Sequence, residues 1–154
     1  MIGYFTLAEA MKASFPPDCC RLAAVREYAD HAVALFDTRP GGEPYLYEVH
    51  YGRMEGRWSE GSSSNARGWS RFLDAGAGLG VATEWGEAPP GADAVRGELA
   101  GQVLEEAVEG GVYLLAWWGV PSGFARVTAF RIGGEWIPVH FNGFSSGWLP
   151  WGIG

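Results

Sequence analysis

Residues 111–120, with the sequence GVYLLAWWGV, form the longest uncharged and strongly apolar run in the chain. The run is too short to span a bilayer, which needs roughly 20 apolar residues. Its aromatic and branched side chains, closed by glycine and followed by Pro121, predict a buried central β-strand. One face carries Tyr113 and Trp117, and the other carries Leu114 and Trp118. Because both faces are apolar, we expect cover on both sides of this strand.

The surrounding sequence is rich in turn signals and in large flat side chains. The chain has 154 residues, including 24 glycines, and 14% of its residues are aromatic. This length fits a single domain over residues 1–154, and many turns between short apolar runs favour a mainly β fold. The Gly- and Ser-rich segment 62–80 reads as a long loop carrying Trp69 and Phe72, and it is the best candidate for a break between subdomains.

Two hairpins and one helix are predicted from local pattern. Tyr45, Tyr47, Val49 and Tyr51 alternate with polar residues, and Glu55-Gly56 supplies a turn, so residues 45–63 predict a hairpin with the tyrosine face toward the core. In that register Trp58 lies opposite Arg53, Ser59 opposite Gly52 and Ser63 opposite Glu48. Gly133-Gly134 predicts a second tight hairpin. Thr6, with Glu9 three residues later, predicts a capped helix that ends at Pro16-Pro17.

Residues 20–38 allow two interpretations. Leu22, Val25, Ala29, Val33 and Phe36 fit helical spacing, whereas two apolar runs around Asp30-His31 fit a hairpin, which we favour. Further short strands are predicted at 80–85, 94–99, 103–108, 112–118, 126–132 and 135–140. Turn signals at such regular intervals favour two packed antiparallel sheets, sandwich-like, with a short N-terminal helix. Residues 85–132 resemble an immunoglobulin-like module in general layout, without its Cys-Trp-Cys spacing, and the resemblance implies only the layered architecture.

Charge and cysteine content restrict the classes of partner. The chain carries 11 basic and 18 acidic residues, for a formal net charge of −7, and has no basic run to neutralise phosphates, so we expect no nucleic-acid partner. An acidic protein attracts basic partners, and the alternative interpretation is that the negative charge only keeps the protein soluble. The N-terminus lacks the pattern of a signal peptide, and adjacent Cys19 and Cys20 offer no disulfide framework, so we expect a cytoplasmic protein without membrane attachment.

Glu48, His50 and Ser63 form the most suggestive catalytic set. Glu48 and His50 are two residues apart on one face of the 45–63 hairpin, and Ser63 lies opposite, so the parts of an acyl-transfer triad share that face. Against this, two such side chains stand roughly 7 Å apart on a flat sheet, beyond hydrogen-bonding reach, and no nucleophile elbow is present. A solvated polar face is the simpler interpretation, and a slip of one residue would separate the group.

Three tryptophans are candidates for binding. Trp69, Trp148 and Trp151 lie in Gly- and Ser-rich segments, where flat rings could stack on sugars or anchor a protein partner. The alternative is that these segments fold back over the ends of the sandwich. Trp58, Trp85, Trp117, Trp118 and Trp136 lie in predicted strands and are expected in the core. The spacing of Cys19, Cys20 and the three histidines predicts no metal site, and the glycines match no phosphate loop, so no cofactor is expected.

The sequence thus predicts a small acidic binding protein that docks or neutralises a basic protein, rather than an enzyme. Two alternatives remain open: a hydrolase that uses His50 with Glu48 and a serine, and a carbohydrate-binding β-sandwich. An apolar sheet edge would also allow a homodimer.

Overall fold

The computed structural model describes residues 3–64, 68–72, 79–141 and 148–150. Over these residues the fold is mainly β, with one short helix and packed antiparallel sheets, and this confirms the predicted fold class. The elements in chain order are α1 (Leu7–Ser14), β1 (Arg21–Tyr28), β2 (His31–Asp37), β3 (Leu46–Met54), β4 (Arg57–Ser64), β5 (Trp69–Arg71), β6 (Gly80–Glu87), β7 (Ala92–Leu99), β8 (Gln102–Ala107), β9 (Val112–Val120), β10 (Arg126–Ile132), β11 (Glu135–Phe141) and β12 (Trp148–Pro150).

The backbone contacts divide the chain into two compact units. The first unit is Met1–Arg67 and the second unit is Gly68–Gly154. The division falls inside the segment 62–80. In the part of the chain that the structure describes, no helix is long and apolar enough to cross a membrane.

Helix α1 begins with the predicted capping box. The Thr6 hydroxyl accepts a hydrogen bond from the Glu9 amide at 3.1 Å, and the Glu9 carboxylate accepts one from the Thr6 amide at 3.1 Å. These two bonds satisfy amides that have no partner within the helix. The helix ends at Ser14, just before Pro16, and its apolar face packs Leu7 and Ala10 against the sheet of the first unit.

That sheet has the strand order β1-β2-β3-β4, all antiparallel. Residues 21–37 form the predicted hairpin, with Tyr28 opposite His31, and the helical alternative is wrong. Ala29 takes a left-handed conformation with φ of 52° in the turn between the two strands. Strand β2 is buried on both faces from Ala32 to Asp37, and this continuous apolar run produces the helix-like spacing seen in the sequence.

The 45–63 hairpin forms with the predicted turn. Glu55 and Gly56 both have positive φ, 52° and 75°, as a two-residue hairpin loop requires. Arg53 lies opposite Trp58, as predicted. Val49, Tyr51 and Trp58 are buried in one cluster with the helix, so this face of the hairpin is part of the core.

The described part of the second unit contains two antiparallel sheets. One has the order β12-β11-β10-β7-β8, and the other has the order β5-β6-β9. Val95 and Phe130 of the first sheet pack against Tyr113, Leu115 and Trp117 of the second, and the rings of Tyr113 and Phe130 meet edge to face at 5.5 Å. The two sheets therefore pack face to face around one apolar core. The structure thus contains three sheets in its described residues, where the sequence predicted two.

Strand β9 corrects the prediction of a central strand. Its residues Val112–Trp117 are all buried, so the expected cover on both faces is present. Among the described strands, however, β9 pairs along its length with β6 alone and stands at the edge of its sheet. Apolar composition reports the burial of side chains and carries no information about how many backbone neighbours a strand has.

The remaining predicted strands form, with ends that move by at most two residues. Gly133 and Gly134, with φ of 61° and 82°, make the turn between β10 and β11 as predicted. The prediction of one long loop over 62–80 is wrong, because β4 continues to Ser64 and β5 pairs with β6. The order of residues 65–67 and 73–78 lies outside the described part of the chain.

Candidate functional site

Glu48 and His50 meet on strand β3. The Nε2 atom of His50 lies 3.0 Å from Oε2 of Glu48, which is hydrogen-bonding distance. The Glu48 side chain is only 4% exposed and that of His50 is 17% exposed. The expectation that a flat strand holds these groups roughly 7 Å apart is therefore wrong. Side chains in strands lean along the strand direction, and two long side chains on one face can bring their tips together.

The serine of the predicted triad is not brought to this pair. A β-bulge between Val49 and Tyr51 shifts the register by one residue, so Ser63 lies opposite Val49 and Ser64 lies opposite Glu48. Directly opposite residues of an antiparallel pair share a face. Ser63 therefore shares the face of Val49, and the predicted position opposite Glu48 is wrong. Between the bulge and the turn of the hairpin, Ser59 lies opposite Gly52 as predicted.

The Glu48–His50 pair can fix one form of the imidazole. A carboxylate at Nε2 holds the proton on that nitrogen when the ring is neutral, and this leaves Nδ1 as the acceptor. The buried position of Glu48 keeps water from competing for that bond. This arrangement orients a base, and the register places Ser64, rather than the predicted Ser63, opposite Glu48.

The three tryptophans predicted for binding lie mostly beyond what the structure describes. The backbone of Trp69 belongs to β5 and that of Trp148 to β12. Their side chains, and the whole of Trp151, are outside the described residues, so their binding role stays a prediction. Of the tryptophans expected in the core, Trp58, Trp85 and Trp117 are buried, whereas Trp118 and Trp136 are only partly buried.

The most exposed aromatic residue of the described ranges was not identified from the sequence. Phe124, in the loop between β9 and β10, is 100% exposed. Its neighbour Gly123 has φ of 153°, and its Cα lies so close to the buried Leu99 that an added Cβ would overlap the Leu99 side chain. The loop is therefore held against the core while Phe124 points outward. The sequence pattern that could have identified Phe124 is the turn Pro121-Ser122-Gly123 directly before it, because a side chain that follows a surface turn is often exposed.

Acidic residues gather at one end of the second unit. Strands β6 and β8 end there, strands β7 and β9 begin there, and the turn between β10 and β11 lies there as well. The register brings these points together, since Ile132 lies opposite both Ala92 and Glu135, and Val112 lies opposite both Glu87 and Glu109. The carboxylates of this acidic end are Glu87, Asp93, Glu106, Glu109 and Glu135.

Basic residues are scarce at the acidic end. Two basic residues lie near it in the described part of the chain: Arg131, whose Nε lies 2.8 Å from Oδ1 of Asp93, and Arg96, whose guanidinium lies over the ring of Trp136, the residue after Glu135. At the other end of the same sheet one carboxylate, that of Glu98, lies 3.6 Å from one basic group, that of Arg126, so these two opposite charges offset each other. The negative charge of this unit is therefore distributed unevenly along its strands.

The two cysteines lie between α1 and β1 as free thiols. Within the described ranges, no group of three or more His, Cys, Asp or Glu residues could hold a metal ion. Comparisons with protein-family models, with curated proteins and with solved structures find no match to this chain.

Proposed function

We propose that this chain is a non-catalytic binding protein that docks a basic protein partner at the acidic end of its second unit. The observation that carries this proposal is the uneven charge of the chain. The second unit has nine acidic and four basic residues, a net charge of −5, whereas the first unit has nine and seven, a net charge of −2.

Electrostatic attraction of this kind acts mainly on the rate of encounter. A surface with an excess of one sign steers a partner of opposite sign and raises the association rate. The effect extends over about one Debye length, roughly 8 Å at physiological ionic strength. Glu109 and Glu135 are exposed at the acidic end, where they can act on an approaching partner.

The test compares two variants with the same change in charge. Glu109→Gln combined with Glu135→Gln removes two charges from the acidic end. Glu43→Gln combined with Glu55→Gln removes two exposed charges from the first unit and is the matched control. The partner is captured from native lysate at low salt, identified by mass spectrometry, purified, and its binding to each variant is measured over a salt series.

The expected partner is basic, and its association rate falls as salt rises. The acidic-end variant should associate roughly threefold to tenfold more slowly at low salt, because exposed charges each contribute up to about 1 kcal/mol. The control variant should behave like the wild type. Binding that ignores salt, or two variants with equal rates, would contradict the proposal.

A second candidate function is favoured by the 3.0 Å contact between His50 and Glu48. In this alternative the protein is a hydrolase that uses His50 as a base, with Glu48 to orient it and a serine as nucleophile. Replacing His50 with Ala should abolish turnover of an ester or amide panel. Replacing His31 with Ala, on the neighbouring strand β2, is the matched control. Turnover that survives in His50→Ala rejects the hydrolase.

The glycan-binding alternative depends on Trp69, Trp148 and Trp151 and stays a prediction. Quenching of tryptophan fluorescence across a glycan panel would test it, and an unchanged spectrum would reject it. Homodimer formation and a cytoplasmic location also stay predictions.

A further inference from the structure

The thiols of Cys19 and Cys20 converge in a tight turn between α1 and β1. The Pro16 carbonyl oxygen accepts hydrogen bonds from both cysteine amides, each at 3.1 Å, and from Sγ of Cys19 at 3.3 Å. The two Sγ atoms are 3.0 Å apart. In an extended strand, adjacent side chains point to opposite faces. Here the turn directs both sulfur atoms to one point, and Cys19 is exposed while Cys20 is partly exposed.

We propose that Cys19 and Cys20 form a two-thiol chelating site for a trivalent arsenic compound that carries one organic group. Such a compound has two valences left for sulfur, which equals the number of thiols in the turn. This site is independent of the proposed docking of a basic protein.

The geometry favours a bridging atom over a direct disulfide. Adjacent Cα atoms are about 3.8 Å apart, whereas disulfides usually join Cα atoms about 4.4–6.8 Å apart. A disulfide would also pull the sulfur atoms from 3.0 Å to about 2.05 Å. A bridging atom leaves the sulfur atoms near their present separation.

The same separation selects the shape of the bridging centre. With a bond of about 2.3 Å from centre to sulfur, as zinc has, sulfur atoms 3.0 Å apart subtend an angle of about 80°. This is close to the right angle of a pyramidal centre with a lone pair, and well below the angle in a tetrahedral zinc site. Structural zinc sites also need four ligands, and no further ligand cluster occurs in the described residues.

The binding step is a condensation without oxidation or reduction. One organoarsenic oxide reacts with the two thiols, two S–H bonds and the bonds from arsenic to oxygen break, and two As–S bonds form. Both protons leave with the oxygen as one water molecule, and arsenic stays trivalent. The bridged product is neutral.

The protonation of the thiols suits a condensation better than the binding of a metal cation. The hydrogen bond between Cys20 and Cys19, together with burial and the charges of Cys19, Asp18 and Asp37, raises the pKa of Cys20 to about 11. The Cys20 thiol is therefore neutral at pH 7. A divalent metal must displace the thiol protons to bind, whereas the condensation consumes neutral thiols.

Phenylarsine oxide is the probe for the test, because the chain contains only two cysteines and thiol chemistry on it is unambiguous. The full-length protein is treated with one equivalent under reducing conditions and analysed by intact mass spectrometry. We expect one adduct per chain, with the mass of one arsenical less one water. In the adduct neither thiol should react any longer with a maleimide reagent. The adduct should survive excess glutathione and be released by a dithiol.

The controls are Cys19→Ser and Cys20→Ser, with circular dichroism to verify folding. Each single variant should hold the arsenical at least 100-fold more weakly in competition with glutathione. Wild-type protein alkylated by N-ethylmaleimide should bind none, which supplies a control with no change of sequence. Equal retention in either serine variant, two arsenicals per chain, or tighter retention of zinc than of the arsenical would overturn the proposal.

Discussion

Gly97 tests whether the two sheets of the second unit pack as described. It lies in the middle of β7, on the face toward β9. A Cβ at this position would lie 2.5 Å from Cδ1 of Leu115, 3.0 Å from Cη2 of Trp117 and 3.1 Å from the carbonyl oxygen of Arg126. A glycine inside a strand often marks a close approach of this kind. We predict that Gly97→Ala destabilises the protein through overpacking between the sheets.

The magnitude follows from which neighbours can move. The tip of Leu115 can change rotamer, but the Arg126 carbonyl belongs to the paired strand β10. The Trp117 ring is held by a hydrogen bond from Nε1 to the Gln102 carbonyl oxygen at 3.1 Å. Overpacking a well-packed core costs about 1–3 kcal/mol. The lower chain entropy of alanine in the unfolded state offsets about 0.4–1 kcal/mol of this. The net loss should be about 1–2 kcal/mol.

Urea unfolding followed by tryptophan fluorescence measures this loss. At a slope of about 2 kcal/mol per M, in the middle of the usual range, the midpoint should fall by roughly 0.5–1 M. Gly86→Ala in β6 is the matched control, because its Cβ would lie 3.4 Å from Tyr113 Oη, an ordinary contact. Its midpoint should stay within about 0.3 M of the wild type.

A double-mutant cycle separates overpacking from a general effect of alanine. Leu115→Ala alone removes a fully buried side chain and should cost about 2–5 kcal/mol. Combined with Gly97→Ala, the loss should be smaller than the sum by about 1 kcal/mol, because the new methyl group fills space that Leu115 vacates. An additive double variant, or a Gly97→Ala protein as stable as the wild type, would refute the described packing of the two sheets.

Further predictions concern single side chains and are tested by thermal or urea unfolding. In the described residues the buried Tyr51 hydroxyl lies near the Ser14 side chain without completing a hydrogen bond, so Tyr51→Phe should leave stability unchanged or raise it by up to about 1 kcal/mol. Burial raises the pKa of Tyr51 from 10.0 to about 12. The contribution of the protonated Tyr51 to the free energy of unfolding is therefore fully present below pH 10 and is lost as the pH rises toward 12. Tyr51→Phe should not show this loss of stability at high pH. The buried Asp37 carboxylate accepts two loop amides at 2.9 and 3.2 Å, so Asp37→Ala should cost about 1–3 kcal/mol and Asp37→Asn less; equal losses would contradict this role. Gly123→Ala should lower the free energy of unfolding by more than about 1 kcal/mol, because the added Cβ clashes with Leu99 and the backbone there is strained for alanine. Phe124→Ser, at a fully exposed site, should change it by less than about 0.5 kcal/mol.

Local turn chemistry made much of the fold predictable from sequence. Glu55-Gly56 and Gly133-Gly134 take the positive φ values that two-residue hairpin loops need, and each sets the pairing of the strands beside it. Thr6 and Glu9 likewise define the start of α1 through bonds within one turn. These features depend on residues close in sequence, and so sequence pattern is enough to find them.

Features that depend on distant partners were harder to predict. The apolar run of β9 correctly indicated burial on both faces, but its edge position depends on which strands pair with it. Residues 21–37 carried helical spacing because β2 is buried on both faces, and a bulge between Leu22 and Ala24 further disturbs the alternation of β1. In both cases the spacing of apolar residues indicates which side chains are buried. The type and position of the secondary-structure element depend instead on which segment its backbone pairs with.

The Glu48–His50–Ser63 set shows how one bulge separates a correct prediction from a wrong one on the same hairpin. The tight turn fixes the register near it, so Trp58 lies opposite Arg53 as expected. The bulge between Val49 and Tyr51 adds one residue to β4, and beyond it every serine changes face. Glu48 and His50 lie on the same strand, so the bulge leaves their shared face unchanged, and their rotamers close the gap to 3.0 Å. A prediction that two side chains of one strand share a face therefore holds even when the predicted register is wrong. A predicted site that joins two strands holds only if no bulge lies between the turn and the site.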